Sequence, residues 1–426
     1  MNQPKLLPVV ASSIIGATIE WYDFFLYGVV ASMVLNHLYF PSDNLFLSTL
    51  LAYVTFAVGF FARPIGGIIF GHFGDKLGRK KMLVLTVMIM GISTCLIALL
   101  PTYAQIGIWA PIILLLLRVV QGIGLGGEWG GAVLMTYEYA PARKRGLYAS
   151  LPQIGLALGL LLASGVVGIL TSLLSQTQFL AWGWRVAFGL SVILVITGLW
   201  MRISVKETPE FQEVKENNLE TTLPFKEMWK DGNSKKIIAG MGARYIDGVF
   251  FNVMGVFSID YLTHHVKLSG SSATLSVSVA ALVMCFFIPL FGHFSDRVGR
   301  IRIYLWGSLL VGLSAIPAFW LFGQSGGNMI VIILTLVVAF GILYPIVYGP
   351  EAALFSELFD PKVRYTGVSF VYQFSGIFAS GITPIIATAL LEAGGGSPLL
   401  LTLYVLFSGI VSALSVVWMK KLEATP

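Results

Sequence analysis

Charged side chains recur at helical spacing inside two apolar stretches of the sequence. Glu20, Asp23 and Tyr27 stand at positions i, i+3 and i+7 of the first stretch, which places them on one face of a helix. Arg118 and Glu128 share a helical face of a later stretch. A buried ionisable group either pairs with an opposite charge or changes its protonation state. We predict that Asp23 pairs with Arg118 and binds a proton, with Glu20 and Glu128 as rival proton carriers. The alternative is that Arg118 and Glu128 only hold helices together.

A second set of polar residues follows later in the chain. Arg244 precedes Asp247 by three positions in an apolar stretch, and the planar guanidinium fork of an arginine matches a carboxylate. Arg244 is therefore the first candidate for an anion-binding group, although it and Asp247 could simply neutralise each other. Glu351 follows Pro350 and could cap a broken helix instead. The predicted ligand-binding residues are Tyr27, Gln121, Arg244, Asp247, Tyr348, Glu351, Tyr372 and Gln373.

The elements that hold these residues are predicted to be membrane helices. Of 426 residues, 56% are apolar and 11% are charged, against about 25% charged in an average soluble domain. Stretches longer than the roughly 20 apolar residues that cross a bilayer must be helices, because lipid cannot satisfy backbone polar groups. We predict an all-α membrane protein with twelve spans, near residues 12–39, 47–72, 82–101, 108–138, 147–172, 184–203, 237–264, 271–294, 303–322, 328–358, 365–391 and 398–419.

Basic residues predict the orientation of these spans. Most of the 27 Lys and Arg residues fall in loops on one side of a twelve-helix topology, from Lys5 to Lys420 and Lys421. The positive-inside rule then places both termini in the cytoplasm. We expect a retained first helix without a cleaved signal peptide. Basic residues that are spread over many loops explain the net charge of +6, so no nucleic-acid partner is expected.

An internal repeat divides the chain into two halves. The loop GHFGDKLGRKK at residues 71–81 returns as GHFSDRVGRIR at residues 292–302. A Glu that precedes an Arg by seven residues also occurs twice, as Glu138 with Arg145 and as Glu357 with Arg364. We predict a six-helix bundle over residues 1–203, a cytoplasmic linker over 204–236 and a second six-helix bundle over 237–426. Such halves rock around a central site in secondary transporters.

These motifs carry a resemblance to a known family. GDKLGRKK resembles the signature loop of the major facilitator superfamily. EWYDFFLYG, FARPIGGIIFGHFGD, RVVQGIGLGGEWGGA and WGWRVAF are similar to segments of its metabolite:proton symporters. The resemblance implies a substrate like those of that family, which include shikimate, 2-oxoglutarate, citrate, and proline or betaine. Osmosensing members have a long C-terminal extension. The sequence ends seven residues after Met419, which argues against an osmolyte sensor.

Charges at the predicted helix ends indicate a gate on the cytoplasmic side. Asp75 with Arg79, and Asp296 with Arg300, are four residues apart at a helix boundary, where they could bind helix ends of the opposite half in one conformation only. The superfamily resemblance implies that the two Glu–Arg pairs complete this gate. The predicted gate residues are Asp75, Arg79, Glu138, Arg145, Asp296, Arg300, Glu357 and Arg364.

The sequence therefore predicts a proton-driven symporter of the bacterial inner membrane, acting as a monomer and importing a shikimate-like monocarboxylate. A di- or tricarboxylate, or a zwitterion such as proline or betaine, is the alternative substrate, and sodium coupling stays open. A uniporter, an exporter or a membrane receptor is a more distant alternative. The sequence contains no phosphate-binding or dinucleotide-binding motif, so neither an enzyme nor a cofactor is expected. The five histidines and two cysteines suggest neither a metal site nor a disulfide.

Overall fold

The computed structural model describes residues 6–41, 45–217, 224–230 and 233–423. Eleven helices in this part of the chain are long and apolar enough to cross a membrane. The 33-residue helix Leu45–Leu77 occupies the position predicted for span 2. The predicted all-α fold of twelve transmembrane helices in two bundles is confirmed. Lys5, and residues 218–223 and 231–232 of the predicted linker, lie outside the described residues.

The twelve long helices are labelled α1 to α12 in chain order. They are Leu6–Val30, Leu45–Leu77, Arg79–Leu99, Trp109–Tyr139, Ala142–Leu173, Gln176–Ser204, Asn233–His264, Gly270–Val298, Arg300–Gln324, Met329–Glu357, Arg364–Ala393 and Leu399–Glu423. A short linker helix, Pro209–Glu216, follows α6. Large apolar side chains such as Trp200 and Phe286 are more than 70% exposed on the outer surface, which suits a surface in contact with lipid tails.

Several helices contain π-helical turns, which insert an extra residue per turn and are frequent at functional sites. In the described part of the chain such turns occur at Ala31–Leu35 after α1 and at Phe179–Gly183 in α6. Three more lie in the second half, at Asn252–Phe257 in α7, Val337–Leu343 in α10 and Ile377–Gly381 in α11. The helices α7, α10 and α11 are those that the predicted ligand-binding residues of the second half occupy.

Close helix packing in the first half depends on glycine. A Cβ atom at Gly126 of α4 would lie 2.0 Å from the Arg63 carbonyl oxygen of α2, and one at Gly122 would lie 2.2 Å from the Gly59 carbonyl oxygen. Both distances are far below van der Waals contact, so any side chain here would force α2 and α4 apart. The glycine-rich segment of α4 therefore works as expected for small residues between membrane helices.

The two halves meet where α2 packs against α11 and where α5 packs against α8 and α10. These contacts lie towards the end of the molecule that has the 71–81 and 292–302 loops and the linker, and we call this end the basic face. The other end, where α7 joins α8, is called the opposite face. Because the halves touch near the basic face, any space between them opens towards the opposite face.

Candidate functional site

Asp23 lies at the centre of the first half with no exposed surface. Its Oδ1 atom accepts a hydrogen bond from the Ser191 hydroxyl of α6 at 2.6 Å, and its Oδ2 atom accepts one from the Thr94 hydroxyl of α3 at 2.8 Å. Three helices thus position this carboxyl group. Each oxygen has a donor, which is the arrangement that stabilises a buried carboxylate.

Arg118 of α4 is connected to Asp23 through intermediate side chains. Its guanidinium donates to the Gln121 amide oxygen, and the Gln121 amide nitrogen donates to the Thr94 hydroxyl at 2.8 Å. Thr94 in turn donates to Asp23. The guanidinium carbon also lies 3.8 Å from the centroid of the Tyr27 ring, a cation–π distance. The structure therefore joins the predicted pair by a hydrogen-bonded chain that includes two predicted ligand-binding residues, Gln121 and Tyr27.

Glu128 pairs with an arginine that is not among the predicted site residues. Its carboxylate forms a two-pronged ion pair with Arg202 of α6, and it also accepts from the Thr86 hydroxyl at 2.9 Å. Both charged side chains are buried. Arg202 stands just before the predicted linker, and its position in the sequence indicates only a basic helix end. The packing of α4 against α3 and α6 makes it the counter-ion, which the sequence does not reveal.

Two arginines from opposite halves line one small chamber between the bundles, with a volume of about 30 Å³. Arg63 of α2 lies 3.9 Å from the Glu20 carboxylate and 4.6 Å from the centroid of the Phe60 ring. Arg244 of α7 faces the same space. The residues that line the chamber are Trp21, Phe24, Phe60, Arg63, Arg244, Phe251, Asn252, Tyr372, Gln373, Gly376 and Ser380.

Arg244 is surrounded by acidic and aromatic groups of the second half. Its Nη2 atom lies 3.5 Å from the Asp247 carboxylate, and its Nε atom lies 3.8 Å from the Glu351 carboxylate. Its guanidinium carbon lies 3.7 Å from the centroid of the Tyr372 ring. Asp247 also accepts a hydrogen bond from the Tyr344 hydroxyl at 2.6 Å. Asp247 and Glu351, predicted to touch the ligand, stand next to Arg244 and are not among the residues that line the chamber.

The floor of the chamber is made by contacts across the two halves. Trp129 of α4 stacks on Tyr372 of α11, with ring centroids 3.6 Å apart. Gln373 donates to the Gly126 carbonyl oxygen at 3.1 Å, and Gln153 of α5 donates to the carbonyl oxygen of Tyr348. Tyr348 thus contributes its backbone to this floor. These contacts close the chamber on the side of the basic face.

Above the chamber, a larger cavity of about 540 Å³ extends towards the opposite face. Phe24, Phe60, Asn252 and Ser380 line both spaces, so the two are adjacent. The outer part is lined by residues at the end of α7 and the start of α8, including Asp260, Thr263, His264 and Thr274. The structure therefore shows a central site that is accessible from one face and closed towards the other.

The basic face is closed by two equivalent contacts. Asp75 at the end of α2 accepts hydrogen bonds from the backbone N–H groups of Tyr365 and Thr366 at the start of α11, at 3.2 and 2.8 Å. Asp296 at the end of α8 accepts from the N–H groups of Gly146 and Leu147 at the start of α5, at 2.7 and 3.0 Å. Each acidic residue of the repeated loop therefore binds the positive N-terminus of a helix from the other half.

The arginines of the predicted gate take partners other than those of the Glu–Arg repeat. Glu138 lies 3.4 Å from Arg364 of the other half and 3.5 Å from Arg79. Glu357 lies 2.8 Å from Arg300, which also lies 3.1 Å from Asp296. The repeat thus correctly brings these side chains to one face, but the pairing of Glu138 with Arg145 and of Glu357 with Arg364 is replaced by pairs between different segments.

The linker helix supplies a gate residue that sequence reasoning missed. Glu210 forms ion pairs with Arg145 of the first half and with Arg364 of the second half. Glu207, just before this helix, accepts from the backbone N–H groups of Arg79 and Lys80 at the start of α3. Burial raises the pKa of the Glu207 carboxyl above its ordinary value, opposed by these hydrogen bonds. Glu207 and Glu210 of the linker are thus part of the closed basic face.

Among the described residues, no group of three or more His, Cys, Asp or Glu side chains could hold a metal ion. Cys95 and Cys285 are free thiols in opposite halves.

Two family models together match residues 9–426 of the chain. Residues 9–245 match the model of the family described as sugar (and other) transporters. Residues 245–426 match that of the major facilitator superfamily. The shikimate transporter of Escherichia coli K12 is 38% identical over 415 residues, covering 96% of this chain and 93% of the relative. The proline/betaine transporter of Salmonella typhimurium is 34% identical over 402 residues, covering 92% and 79% respectively.

Solved structures show the same fold at low sequence identity. A proton:xylose symporter bound to 6-bromo-6-deoxy-D-glucose matches with a TM-score of 0.79 at 18% identity, covering 98% of this chain and 95% of that one. A partially occluded inward open conformation of the Escherichia coli xylose transporter matches with a lower TM-score of 0.68, at 19% identity.

Proposed function

Because the chain belongs to the major facilitator superfamily and to its sugar (and other) transporter family, we propose that it is a proton-coupled symporter that imports a small hydroxylated monocarboxylate such as shikimate. The fold and the relatives are those of transporters and not of enzymes. The observation that supports this proposal best is the central chamber. It is lined by Arg63 and Arg244 from opposite halves and is accessible from one face only.

The substrate class follows from the chemistry of the chamber. Arg244 presents its guanidinium to the chamber while it stacks on Tyr372. This arrangement suits a carboxylate, which an arginine binds through paired hydrogen bonds. Tyr372, Gln373, Asn252 and Ser380 offer hydroxyl and amide groups for the hydroxyl groups of the substrate. The name of the Escherichia coli relative, a shikimate transporter, agrees with this chemistry.

The driving force is assigned to a proton gradient, without a cofactor. A proton that crosses a membrane potential of 100 mV releases about 2.3 kcal/mol, which suffices for accumulation of roughly several tens-fold. Asp23 is the proposed proton carrier of the first half, and its hydrogen-bonded connection to Arg118 lets its protonation state affect α1, α3 and α4 together. One chain contains both halves, so a monomer is the proposed functional unit.

The orientation follows from the distribution of basic loops. The positive-inside rule assigns the basic face to the cytoplasm, with both termini on that side. The protein then resides in a bacterial cytoplasmic membrane, as do its relatives named as inner-membrane proteins. In this orientation the wide cavity opens to the outside, and the structure is an outward-facing conformation.

A di- or tricarboxylate is the second candidate substrate. It is favoured by one observation, namely that two arginines rather than one line the chamber. Arg63 lies 3.9 Å from Glu20, beyond hydrogen-bond distance, so it could turn to a second carboxylate of the substrate.

The test is uptake by purified protein in proteoliposomes with labelled shikimate, 2-oxoglutarate, citrate, proline and betaine. We expect uptake of shikimate that rises when the outside is acidified, falls when a protonophore is added, and is unchanged when potassium replaces sodium. Uptake of citrate or 2-oxoglutarate alone would replace the substrate assignment. Transport that does not respond to pH or to the protonophore would overturn proton coupling. Transport that requires sodium would make sodium, and not the proton, the coupling ion.

A further inference from the structure

Glu351 of α10 differs from Asp23 and Asp247 in its hydrogen bonding. It resembles Glu20, whose Oε2 atom also lacks a donor among the described residues. Neither of its carboxyl oxygens has a hydrogen-bond donor among the residues that the structure describes. By contrast, both oxygens of Asp23 accept hydrogen bonds from hydroxyl groups, and Asp247 accepts one from Tyr344. The Glu351 side chain has no exposed surface, so solvent does not supply the missing donors.

In the part of the chain that the structure describes, Arg244 is the one cation within 4 Å of this carboxyl group, and it is too distant for a hydrogen bond. The Nε atom of Arg244 lies 3.8 Å from Oε1 of Glu351, beyond the usual range of about 3.2 Å for such a bond. The guanidinium packs over the Tyr372 ring and lies 3.5 Å from both Asp247 and the Ser375 hydroxyl. Arg244 therefore contacts the acidic residues on one side and lines the chamber on the other.

Within the described ranges, the other ionisable groups that interact electrostatically with Glu351 are acidic or phenolic. Asp247 comes from α7, and the tyrosines come from α9, α10 and α11. Tyr348 stands one helical turn before Glu351, and its hydroxyl also lacks a hydrogen-bond partner among the described residues. The surrounding groups are Arg244, Asp247, Tyr304, Tyr344, Tyr348 and Tyr372.

The net charge around Arg244 depends on whether Glu351 carries a proton. If Asp247 and Glu351 are both ionised, Arg244 faces two negative charges, and one of them has no hydrogen-bond donor in a medium of low polarity. Leaving a buried carboxylate without donors is strongly unfavourable, and such a group binds a proton instead. With a proton on Glu351, Arg244 and Asp247 are balanced, and the guanidinium is available to a ligand in the chamber.

We propose that Glu351 holds a proton in this outward-facing conformation and that this proton controls whether Arg244 binds the substrate carboxylate. The inference rests on the proposed function and deepens it. Protonation of Glu351 leaves Arg244 free for the substrate. After the substrate leaves, the guanidinium moves onto Glu351 and the proton is released. The proton and the substrate carboxylate thus bind together and leave together. Each transport cycle therefore moves one positive and one negative charge through this site.

Glu351 does not line the chamber, so it acts through Arg244 as a positioning residue. Linkage then requires that substrate binding and proton binding strengthen each other. Above the pH at which Glu351 loses its proton, the Kd for substrate rises by up to about tenfold for each pH unit, because one proton must be bound with each substrate.

The first test measures the Kd of labelled shikimate in detergent from acidic to alkaline pH. We expect wild type to lose affinity at alkaline pH, whereas Glu351→Gln, which imitates the protonated form, keeps a Kd that changes less than twofold. Glu392→Gln, at an exposed residue outside the site, should keep the slope of wild type. A pH slope that persists in Glu351→Gln, or loss of shikimate binding in that variant at every pH, overturns the proposal.

The second test does not depend on the substrate. Infrared difference spectroscopy of the substrate-free protein should show a protonated carboxyl band that is absent from Glu351→Gln and retained in the control Glu392→Gln, an exposed residue at the end of α11. If this glutamine variant does not fold, Glu351→Met serves in its place, because it also lacks a charge and has similar length. A band that is unchanged by both variants overturns the proposal. If wild type does not bind shikimate but the band disappears in Glu351→Gln, only the substrate assignment is rejected.

Discussion

The indole ring of Trp129 in α4 lies flat on the phenol ring of Tyr372 in α11, with centroids 3.6 Å apart and 11° between the ring planes. Arg244 packs over the same phenol ring, with its guanidinium carbon 3.7 Å from the centroid. Tyr372 therefore contacts the first half of the protein and the proposed substrate-binding arginine at once. Opening of the chamber towards the basic face requires the two rings to separate.

Trp129→Ala should weaken this closure. Aromatic stacking contributes about 0.5–1.5 kcal/mol beyond the area that it buries, so we expect the equilibrium to shift at least threefold towards a conformation open at the basic face. Accumulation of labelled substrate in proteoliposomes should fall more than exchange does. The lipid-exposed Trp320→Ala is the control, since that side chain is 63% exposed. Equal loss of exchange and accumulation in Trp129→Ala would contradict this role.

Asp75→Asn should loosen the contact between α2 and α11. An amide lacks the charge that favours a helix N-terminus, and it offers one acceptor oxygen where the carboxylate offers two to Tyr365 and Thr366. We expect a loss of about 1–3 kcal/mol in the closed conformation. Hydrogen exchange at the start of α11 should become faster.

Asp360→Asn, an exposed residue of the loop before α11, is the matched control and should leave this exchange unchanged. Asp296→Asn should speed exchange at the start of α5 in the same manner, because Asp296 binds the N–H groups of Gly146 and Leu147. Unchanged protection at both helix starts would show that these hydrogen bonds do not hold the basic face closed.

Asp23→Asn should separate transport from energy coupling. The amide preserves the shape of the side chain but cannot carry a proton through the cycle. We expect uphill accumulation to be lost while exchange of labelled for unlabelled substrate continues. Thr94→Val, which removes the link between Asp23 and Gln121, should reduce accumulation to a lesser extent. Accumulation at the wild-type level in Asp23→Asn would remove this residue from the coupling mechanism.

Arginine substitutions should distinguish the two substrate classes. Lysine keeps the charge but loses the planar fork that binds a carboxylate in a bidentate manner. For a monocarboxylate held by Arg244, Arg244→Lys should raise KM at least about tenfold, the equivalent of about 1.4 kcal/mol, while Arg63→Lys has a smaller effect. Similar increases in both variants would indicate two bound carboxylates. Arg302→Lys, an exposed residue of α9, is the control.

Glu128→Gln should lower stability, because it leaves Arg202 buried without its counter-ion. Breaking a buried ion pair from one side typically costs about 3–5 kcal/mol. The apparent melting temperature in detergent should fall clearly below that of wild type. Glu227→Gln breaks an exposed ion pair with Lys230. It should change the melting temperature little, because exposed pairs contribute less than about 1 kcal/mol. A normal melting temperature for Glu128→Gln would show that Arg202 finds another partner.

The class of the protein and its architecture could be predicted from local patterns of residues. Length and polarity of the apolar stretches predict membrane helices, because lipid leaves the backbone no alternative. The repeated loops of residues 71–81 and 292–302 predict two related halves, and the spacing of charges predicts which helix faces are polar. The family resemblance and the position of the gate at one end of the bundle follow from the same local patterns.

The partner of each buried charge depends on how the helices pack. Spacing along one helix places Arg118 and Glu128 on a common face, and the packing of α4 against α6 gives Glu128 its partner Arg202. Likewise Glu210 of the linker, and not a repeated residue, bridges Arg145 and Arg364. An ion pair between distant segments depends on distances of a few ångströms between helices. No local spacing encodes these distances, and they are set when all twelve helices pack together.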